Sequence, residues 1–487
     1  MLRKIRITLS IVSITLTTLL FLGVVMNPFM AKIQFLPAVM AMDLIVLAIL
    51  LVATLVLGRV YCSVVCPLGI MQDFFSWIGS RFKKNRFSYS KEKKWLRYGI
   101  LTVFVAMMII GFAPVTTLLA PYSAYGRIVN SLFQPLYDLL NNAIAKFEAS
   151  HYPDSYRFTQ VEIWIRSVTT LVVAILTLVI LAFLAWWRGR LYCNTICPVG
   201  SFLGLFSRFS LLRVKFDEKN CKKCGMCEKN CKAEAIDFKN GNVDYSRCVV
   251  CGNCLDKCKF DALHYGMVSK PAKDKGQEVD EGRRAFLVGT ALAGASAAVA
   301  QAKIKVDGGF AVIEDKVPPQ RLTPITPPGS ESATNVQRHC TACQLCVSNC
   351  PNDVLRPSTE MKNFMQPVMS FERGYCSPEC TRCSQVCPTG AIKPITAAEK
   401  SAIHIGHAVW VKENCVVLTD KVSCGNCARH CPTGAIQMVE YSTADGTCEV
   451  PAVDEMKCIG CGACENLCPA RPFSAIYVEG NEMHRIG

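Results

Sequence analysis

Histidine is scarce in this 487-residue chain, with seven residues at positions 151, 264, 339, 404, 407, 430 and 484. None lies in the long apolar runs, which excludes the paired axial ligands that would hold b-type haem between membrane helices. Cys-x2-Cys-His is absent too, excluding covalently attached c-type haem. Acidic side chains are short in supply, 38 against 53 lysines and arginines, leaving a formal charge of +15. Much of the excess flanks apolar runs, as in residues 81–86 and 91–94, so a membrane surface fits it better than nucleic acid. Charge is low overall at 19%, and 51% hydrophobic content is too high for one soluble domain.

What is present in excess is cysteine, 29 residues. Disulfide scaffolds of that density are short secreted chains, whereas these cysteines recur in C-x2-C-x2-C-x3-C runs, the spacing of iron–sulfur ligands. The fold class expected is a membrane α-helical bundle joined to α+β ferredoxin-like domains that bind [4Fe–4S] clusters. Four domains follow: 1–210, four membrane spans; 211–270, a two-cluster ferredoxin; 271–336, a linker; and 337–487, a four-cluster ferredoxin.

Residues 7–25, 38–57, 98–118 and 161–187 are each apolar for close to the ~20 residues a spanning helix needs. Basic clusters before the first, between the second and third, and after the fourth predict that those three segments face the cytoplasm. Residues 120–160 then face outward, with 128–147 lying along the outer boundary and interrupted at Pro135. Asp43 and Arg166 are expected at similar outer depth within two spans, as an ion pair or as functional intramembrane charges.

A repeat sits inside this region. Gly58-Arg59-Val60-Tyr61-Cys62-x3-Cys66-Pro67 matches Gly189-Arg190-Leu191-Tyr192-Cys193-x3-Cys197-Pro198 in frame. Each copy precedes an amphipathic stretch, 70–82 or 201–212, expected to rest on the inner surface. A pseudo-twofold pair of two-span units brings Cys62, Cys66, Cys193 and Cys197 together at the cytoplasmic boundary, as a seventh metal cluster, a redox-active thiol set or packing residues. Two such motifs with a trailing double ferredoxin resemble the NapH family, the membrane component of the quinol dehydrogenase that feeds periplasmic nitrate reductase. Relatives of that module serve nitrous oxide reductase, methylamine dehydrogenase maturation and reductive dehalogenation. The resemblance implies quinol as substrate, those four cysteines as candidate redox residues, Asp43 and Arg166 as candidates for quinol deprotonation, and electron transfer through iron–sulfur centres.

The runs Cys221, Cys224, Cys227, Cys231 and Cys248, Cys251, Cys254, Cys258 predict two [4Fe–4S] clusters, each taking its fourth ligand from the other run. Zinc-finger spacing does not match them. The proline that usually follows the fourth cysteine is replaced by Lys232 and Lys259, whose charge is expected to raise the cluster potentials.

Arg283-Arg284 with Phe286-Leu287 opens a weakly apolar run, 288–302, that looks like a twin-arginine export signal placed mid-chain. It is read as a fifth span or as a signal cleaved near Ala302. A Pro-rich stretch to residue 337 reads as a stiff linker.

Four further groups follow, each ending in Cys-Pro: Cys340, Cys343, Cys346, Cys350; Cys376, Cys380, Cys383, Cys387; Cys415, Cys424, Cys427, Cys431; and Cys458, Cys461, Cys464, Cys468. They predict four more [4Fe–4S] clusters, six in the ferredoxin parts. Pairing is open between adjacent and nested arrangements, and Cys448 competes with Cys415 as a ligand. This half, with Arg321, Pro324 and Gly329 ahead of its first group, resembles the exported NapG/MauM ferredoxins. Together the halves imply an inner-membrane, multi-pass protein, with its first ferredoxin cytoplasmic and its second periplasmic. The resemblances imply that it oxidises membrane quinol and passes electrons to a periplasmic reductase or cytochrome. The alternative is electron or thiol–disulfide supply to a maturing periplasmic metalloenzyme.

Overall fold

The computed structural model describes residues 2–82, 87–151, 158–217, 220–267, 306–307, 311–312, 315–443 and 446–487. Arg283, Arg284, the run that follows them and Ala302 lie outside the described residues.

Apolar sequence becomes helix in the first part of the chain, but breakers decide the lengths. Helix α1 (Leu2–Phe21) has no proline or glycine and runs 20 residues, ~30 Å at 1.5 Å per residue. Its buried side is Ser10, Ser13, Thr17, Leu20 and Phe21, the first three being small hydroxyl residues that allow close helix approach. The second apolar run is broken. Met42 takes a left-handed φ of 53°, and Asp43 caps α2 (Leu44–Leu57) by accepting from the Val46 amide at 3.2 Å. The third run, α5 (Lys94–Ile110), stops at Gly111, whose φ of 81° ends the helix before Pro114. The fourth, α8 (Val168–Arg188), begins only at its Ser167 cap. Of the described helices, α1 and α8 are long and apolar enough to cross a membrane, and α2 is a shorter apolar helix of 14 residues.

Between the long helices the chain turns back into the bundle. After α2 come a short helix α3 (Tyr61–Val64) and α4 (Pro67–Phe82); after α8 come α9 (Leu191–Thr195) and α10 (Pro198–Ser207). The amphipathic stretches expected on the membrane surface are therefore buried at their first turns, Pro67 to Gln72 and Pro198 to Ser201. The halves interlock, since α4 packs on α8 of the other half and α10 packs on α2 as well as on α5 of its own.

Helix α6 (Pro121–Ile128) is buried along its whole length. A π-turn, Val129–Phe133, leads from it into α7 (Gln134–His151), so Pro135 stands at the start of a helix rather than interrupting one.

The two ferredoxin units cap opposite ends of the bundle. The first is a pair of two-stranded ribbons, Leu212–Phe216 with Leu263–Met267 and Ile236–Asp237 with Asn242–Val243. It meets the N-terminal end of α1 through Arg3–Asp256 (3.0 Å) and the end of α2 through Leu211 N to Leu55 O (2.8 Å). The second unit meets the other end of α1, where Asn349 donates to the Leu20 carbonyl at 3.3 Å. It is built on the antiparallel pairs Ile403–Trp410 with Ile476–Ile486, Ile436–Thr443 with Gly446–Val453, and Leu355–Pro357 with Pro367–Met369. The Pro-rich stretch is part of this unit rather than a free linker. Lys316 donates to the carbonyls of Glu465 and Asn466, both at 2.6 Å, and Arg321 pairs with the Glu465 carboxylate at 2.6 Å.

Candidate iron–sulfur centres and the cysteine core

In the ferredoxin units, short helical turns following left-handed residues aim cysteines inward around small voids. Gly225, Gly252 and Gly462 hold φ between 70° and 80° just before such turns. One void is lined by Cys221, Cys224, Cys227 and Cys258. The second set is Cys231, Cys248, Cys251 and Cys254. There, burial and then the neighbouring Cys251, Cys231 and Cys248 push the Cys254 thiol well above the usual value.

The C-terminal unit arranges its groups in adjacent pairs. Cys340, Cys343 and Cys346 share a void with Cys387, and Cys350 shares one with Cys376, Cys380 and Cys383. Cys415, Cys424 and Cys427 share one with Cys468. Cys458, Cys461 and Cys464 gather with Cys431, and burial pushes Cys461 up to about 12. Cys448 stands apart on a strand, its thiol directed to the Tyr441 carbonyl at 3.6 Å.

Among the described residues no three His, Cys, Asp or Glu converge tightly enough for a single metal ion. Thiols spaced around a void suit a cube of four irons, each iron taking one thiolate. Cys251 and Cys254 of the second set and Cys343 and Cys346 of the C-terminal unit are buried, an environment in which free thiolates are disfavoured and metal coordination supplies the compensation.

Two lysines were not legible in the sequence as site residues or were read differently. Lys400, 5% exposed, reaches the Cys376 sulfur at 3.2 Å and the carbonyls of Ser377 and Cys380 at 2.5 and 2.6 Å. A cationic donor on a ligand sulfur stabilises the reduced cluster. Lys232, expected as free charge beside its cluster, is instead bonded to Asp73 at 2.5 Å. Asp73 also receives Arg6 at 2.6 Å and Arg190 at 2.8 Å, so one carboxylate on α4 ties three cations together beneath the first ferredoxin.

Cys62, Cys66, Cys193 and Cys197 come together in the bundle next to the first ferredoxin, whose Ala233 carbonyl receives the Asn194 side-chain amide of the repeat at 3.0 Å. All four are 3–5% exposed, and the Val65 carbonyl beside them receives the Ser13 hydroxyl from the middle of α1 at 3.4 Å. Buried non-helical backbone needs internal partners. Two arginines supply them with matching geometry: Arg190 donates to the Cys62 carbonyl at 2.6 Å, and Arg59 to the Cys193 carbonyl at 3.3 Å. Gly69 and Gly200 make the approach possible, since a Cβ on either would stand 2.3 Å from the carbonyl oxygen of Cys62 or Cys193. Arg59 also touches the Cys62 sulfur at 3.8 Å and donates to Ser246 O in the first ferredoxin at 2.8 Å. On the other side Tyr61 and Tyr122 lead from the quartet toward Cys343 and Cys387, and Gly126 abuts the Cys343 carbonyl.

Asp43 and Arg166 are not partners, and neither lies inside a helix. Asp43 is the cap of α2. Arg166 precedes α8 and donates to Asn130 (2.6 Å), Gln134 (2.9 Å) and Asp353 (3.0 Å), where the second ferredoxin docks. The break before each helix removed both side chains from the spans in which the hydropathy pattern had put them.

The sites and fold define a ferredoxin-type iron–sulfur electron-transfer protein with several 4Fe-4S domains. Comparison with known proteins agrees: the family described as 4Fe-4S binding domain matches residues 40–86 and 169–217, the two segments bearing the Cys-x3-Cys-Pro motifs. A second 4Fe-4S binding domain matches 242–264, and a 4Fe-4S dicluster domain matches 339–391 and 422–471. The methylamine utilization ferredoxin-type protein MauM of Methylobacillus flagellatus is 30% identical over 169 residues, 33% of this chain and 70% of that protein. The ferredoxin-type protein NapF of Escherichia coli K12 is 29% identical over 158 residues, 32% and 87% of the respective chains. The methylamine utilization protein MauN of Paracoccus denitrificans is 30% identical over 200 residues, covering 40% of this chain and 54% of its own. No solved structure matches. The chain belongs to the family of ferredoxin-type proteins that includes MauM.

Proposed function

We propose that the chain is the electron-transfer part of a quinol dehydrogenase, set in the bacterial inner membrane with its first ferredoxin cytoplasmic and its second periplasmic. The observation that carries this reading is the placement of two multi-centre ferredoxin units at opposite ends of one helix bundle, with a four-cysteine core between them. Exposed apolar side chains along α8, among them Leu176, Val179, Ile180 and Phe183, supply a flank that hydrocarbon would cover.

Six [4Fe–4S] clusters are held by the six cysteine sets of the ferredoxin units. A seventh is held by Cys62, Cys66, Cys193 and Cys197, supported by the iron–sulfur family match to both segments that bear them. When bound, these clusters accept and pass single electrons. The protein's own residues set their spacing: Arg59 joins the first ferredoxin to the core, and Tyr122 and Gly126 close the gap between the core and Cys343. The acceptor is a periplasmic reductase of the nitrate reductase kind, with supply to a maturing metalloenzyme as the second reading, favoured by the methylamine utilization relatives. A thiol–disulfide relay suits the core poorly, since its cysteines lie where a partner's disulfide has no access.

The test is reduction of the full-length chain, purified anaerobically in lipid nanodiscs, by a short-chain quinol. Bleaching of the iron–sulfur absorbance is the predicted result; a chain that dithionite bleaches and quinol leaves untouched contradicts quinol oxidation.

A further inference from the structure

A cavity of about 270 Å³ lies where the bundle and the second ferredoxin meet. Its floor is the π-turn and the first two turns of α7, with Asn130, Gln134 and Asp138. Residues 161–167 and the start of α8 form one wall, and Gln344, Cys350 and Asp353 of the ferredoxin form the other. The joint is firmly made: Asn130 donates to Gln344 Oε1 at 2.9 Å, and Arg356 and Arg373 both stack on Trp164, at 4.5 and 4.7 Å.

Two features mark the cavity as a binding site rather than a packing defect. Gln344 Nε2 and Thr170 Oγ1 belong to lining residues only 1% and 3% exposed, and neither atom has a hydrogen-bond partner. A buried amide donor and a buried hydroxyl left without partners cost free energy that a polar ligand would recover. The surroundings are also apolar and open to the bundle's flank. Leu171 lines the cavity beside exposed Val168 and Val172 on α8, while Leu136, Leu139 and Leu140 are exposed on α7.

Resting on the functional reading above, we infer that this cavity is where the quinol head group binds and is oxidised. A lipid-soluble diol matches the site in both respects, its ring hydroxyls meeting Gln344 Nε2 and Thr170 Oγ1 and its tail leaving along the apolar flank of α7 and α8. In the reaction both O–H bonds of the quinol break to give the quinone. One proton passes to the Asp138 carboxylate, the other to water at the mouth beside Asp353. The two electrons would leave singly for two oxidised [4Fe–4S] centres, and Cys350, Cys376, Cys380 and Cys383 would hold the one next to the cavity. Arg166, held by Asn130, Gln134 and Asp353, is the positioning residue that keeps this polar wall in register. Asp43, on a separate helix cap, has no part in it.

Two measurements on the full chain in nanodiscs test the site. A photoactivated azidoquinone should label peptides within 130–138 or 161–171, and labelling should be lost in Gln344→Leu. In rapid mixing with quinol, Asp138→Asn should reduce the clusters at least tenfold more slowly, with iron content and the dithionite-reduced electron paramagnetic resonance spectrum unchanged. Labelling elsewhere, together with normal quinol rates in both variants, overturns the site while leaving quinol oxidation standing. Failure of quinol to reduce the unmodified chain overturns the function, and the site with it.

Discussion

Arg190 donates to the carbonyl oxygen of Cys62 at 2.6 Å, reaching from one copy of the internal repeat into the other. Its counterpart Arg59 does the same for Cys193, so the turns that carry the core cysteines are held by side chains from the opposite half. Neither turn is complete without the other copy.

Asp73 is the point where this cross-bracing is neutralised. Asp73→Asn leaves Arg190, Lys232 and Arg6 facing one another without their shared carboxylate, and breaking a buried ion pair from one side costs about 3–5 kcal/mol. Thermal unfolding in detergent should show a clear fall in Tm for Asp73→Asn, and a much smaller one for Asp256→Asn at the exposed Arg3 pair.

Lys400 predicts a change in potential. Lys400→Met removes the donor to the Cys376 sulfur, so the centre held with Cys350, Cys380 and Cys383 should become harder to reduce. A redox titration followed by electron paramagnetic resonance should show one signal moving to lower potential, with iron content preserved.

His484 predicts an acid-sensitive second ferredoxin. Burial lowers its pKa from 6.5 to about 4, and its ring meets Thr326 at 2.9 Å. The unfolded chain therefore binds a proton between these values that the folded chain does not. Stability is full above about pH 6.5 and falls as pH drops toward 4, by up to ~3 kcal/mol. His484→Gln should flatten that part of the melting-temperature profile; an unchanged slope would remove His484 as its source.

Much of the molecule could be read from residue order, and what was missed has local causes. Cysteine spacing sorts the ligands into groups, because the turns that aim them are short and local. Spacing does not say which group shares a void with which, since Cys387 and Cys350 exchange places through tertiary packing. Hydropathy finds the apolar runs but not the breaks at Met42 and Gly111, where one left-handed residue outweighs its apolar neighbours. The Cys-x3-Cys-Pro repeat is visible in the sequence, but not that Arg59 and Arg190 each satisfy the backbone of the opposite copy. Lys400 and Asp73 carry no motif, and their roles follow from contacts made across 24 and more than 100 residues.

If the core quartet links the two ferredoxins, losing it should separate them. With Cys197→Ser, quinol should still reduce the centres of the second ferredoxin, beside the cavity, while those of the first stay oxidised until dithionite is added. Equal reduction of both units would show that electrons pass between them without the core.

Iron content separates a chain with a cluster in the core from one without. Six ferredoxin sets and the core quartet give about 28 iron atoms per chain at four per cluster. Iron and acid-labile sulfide, measured on anaerobically purified protein, should reach that value and fall by about four in the Cys62→Ser variant. A value near 24, unchanged by Cys62→Ser, would mean that the core holds no cluster and would contradict a continuous line of centres through the bundle.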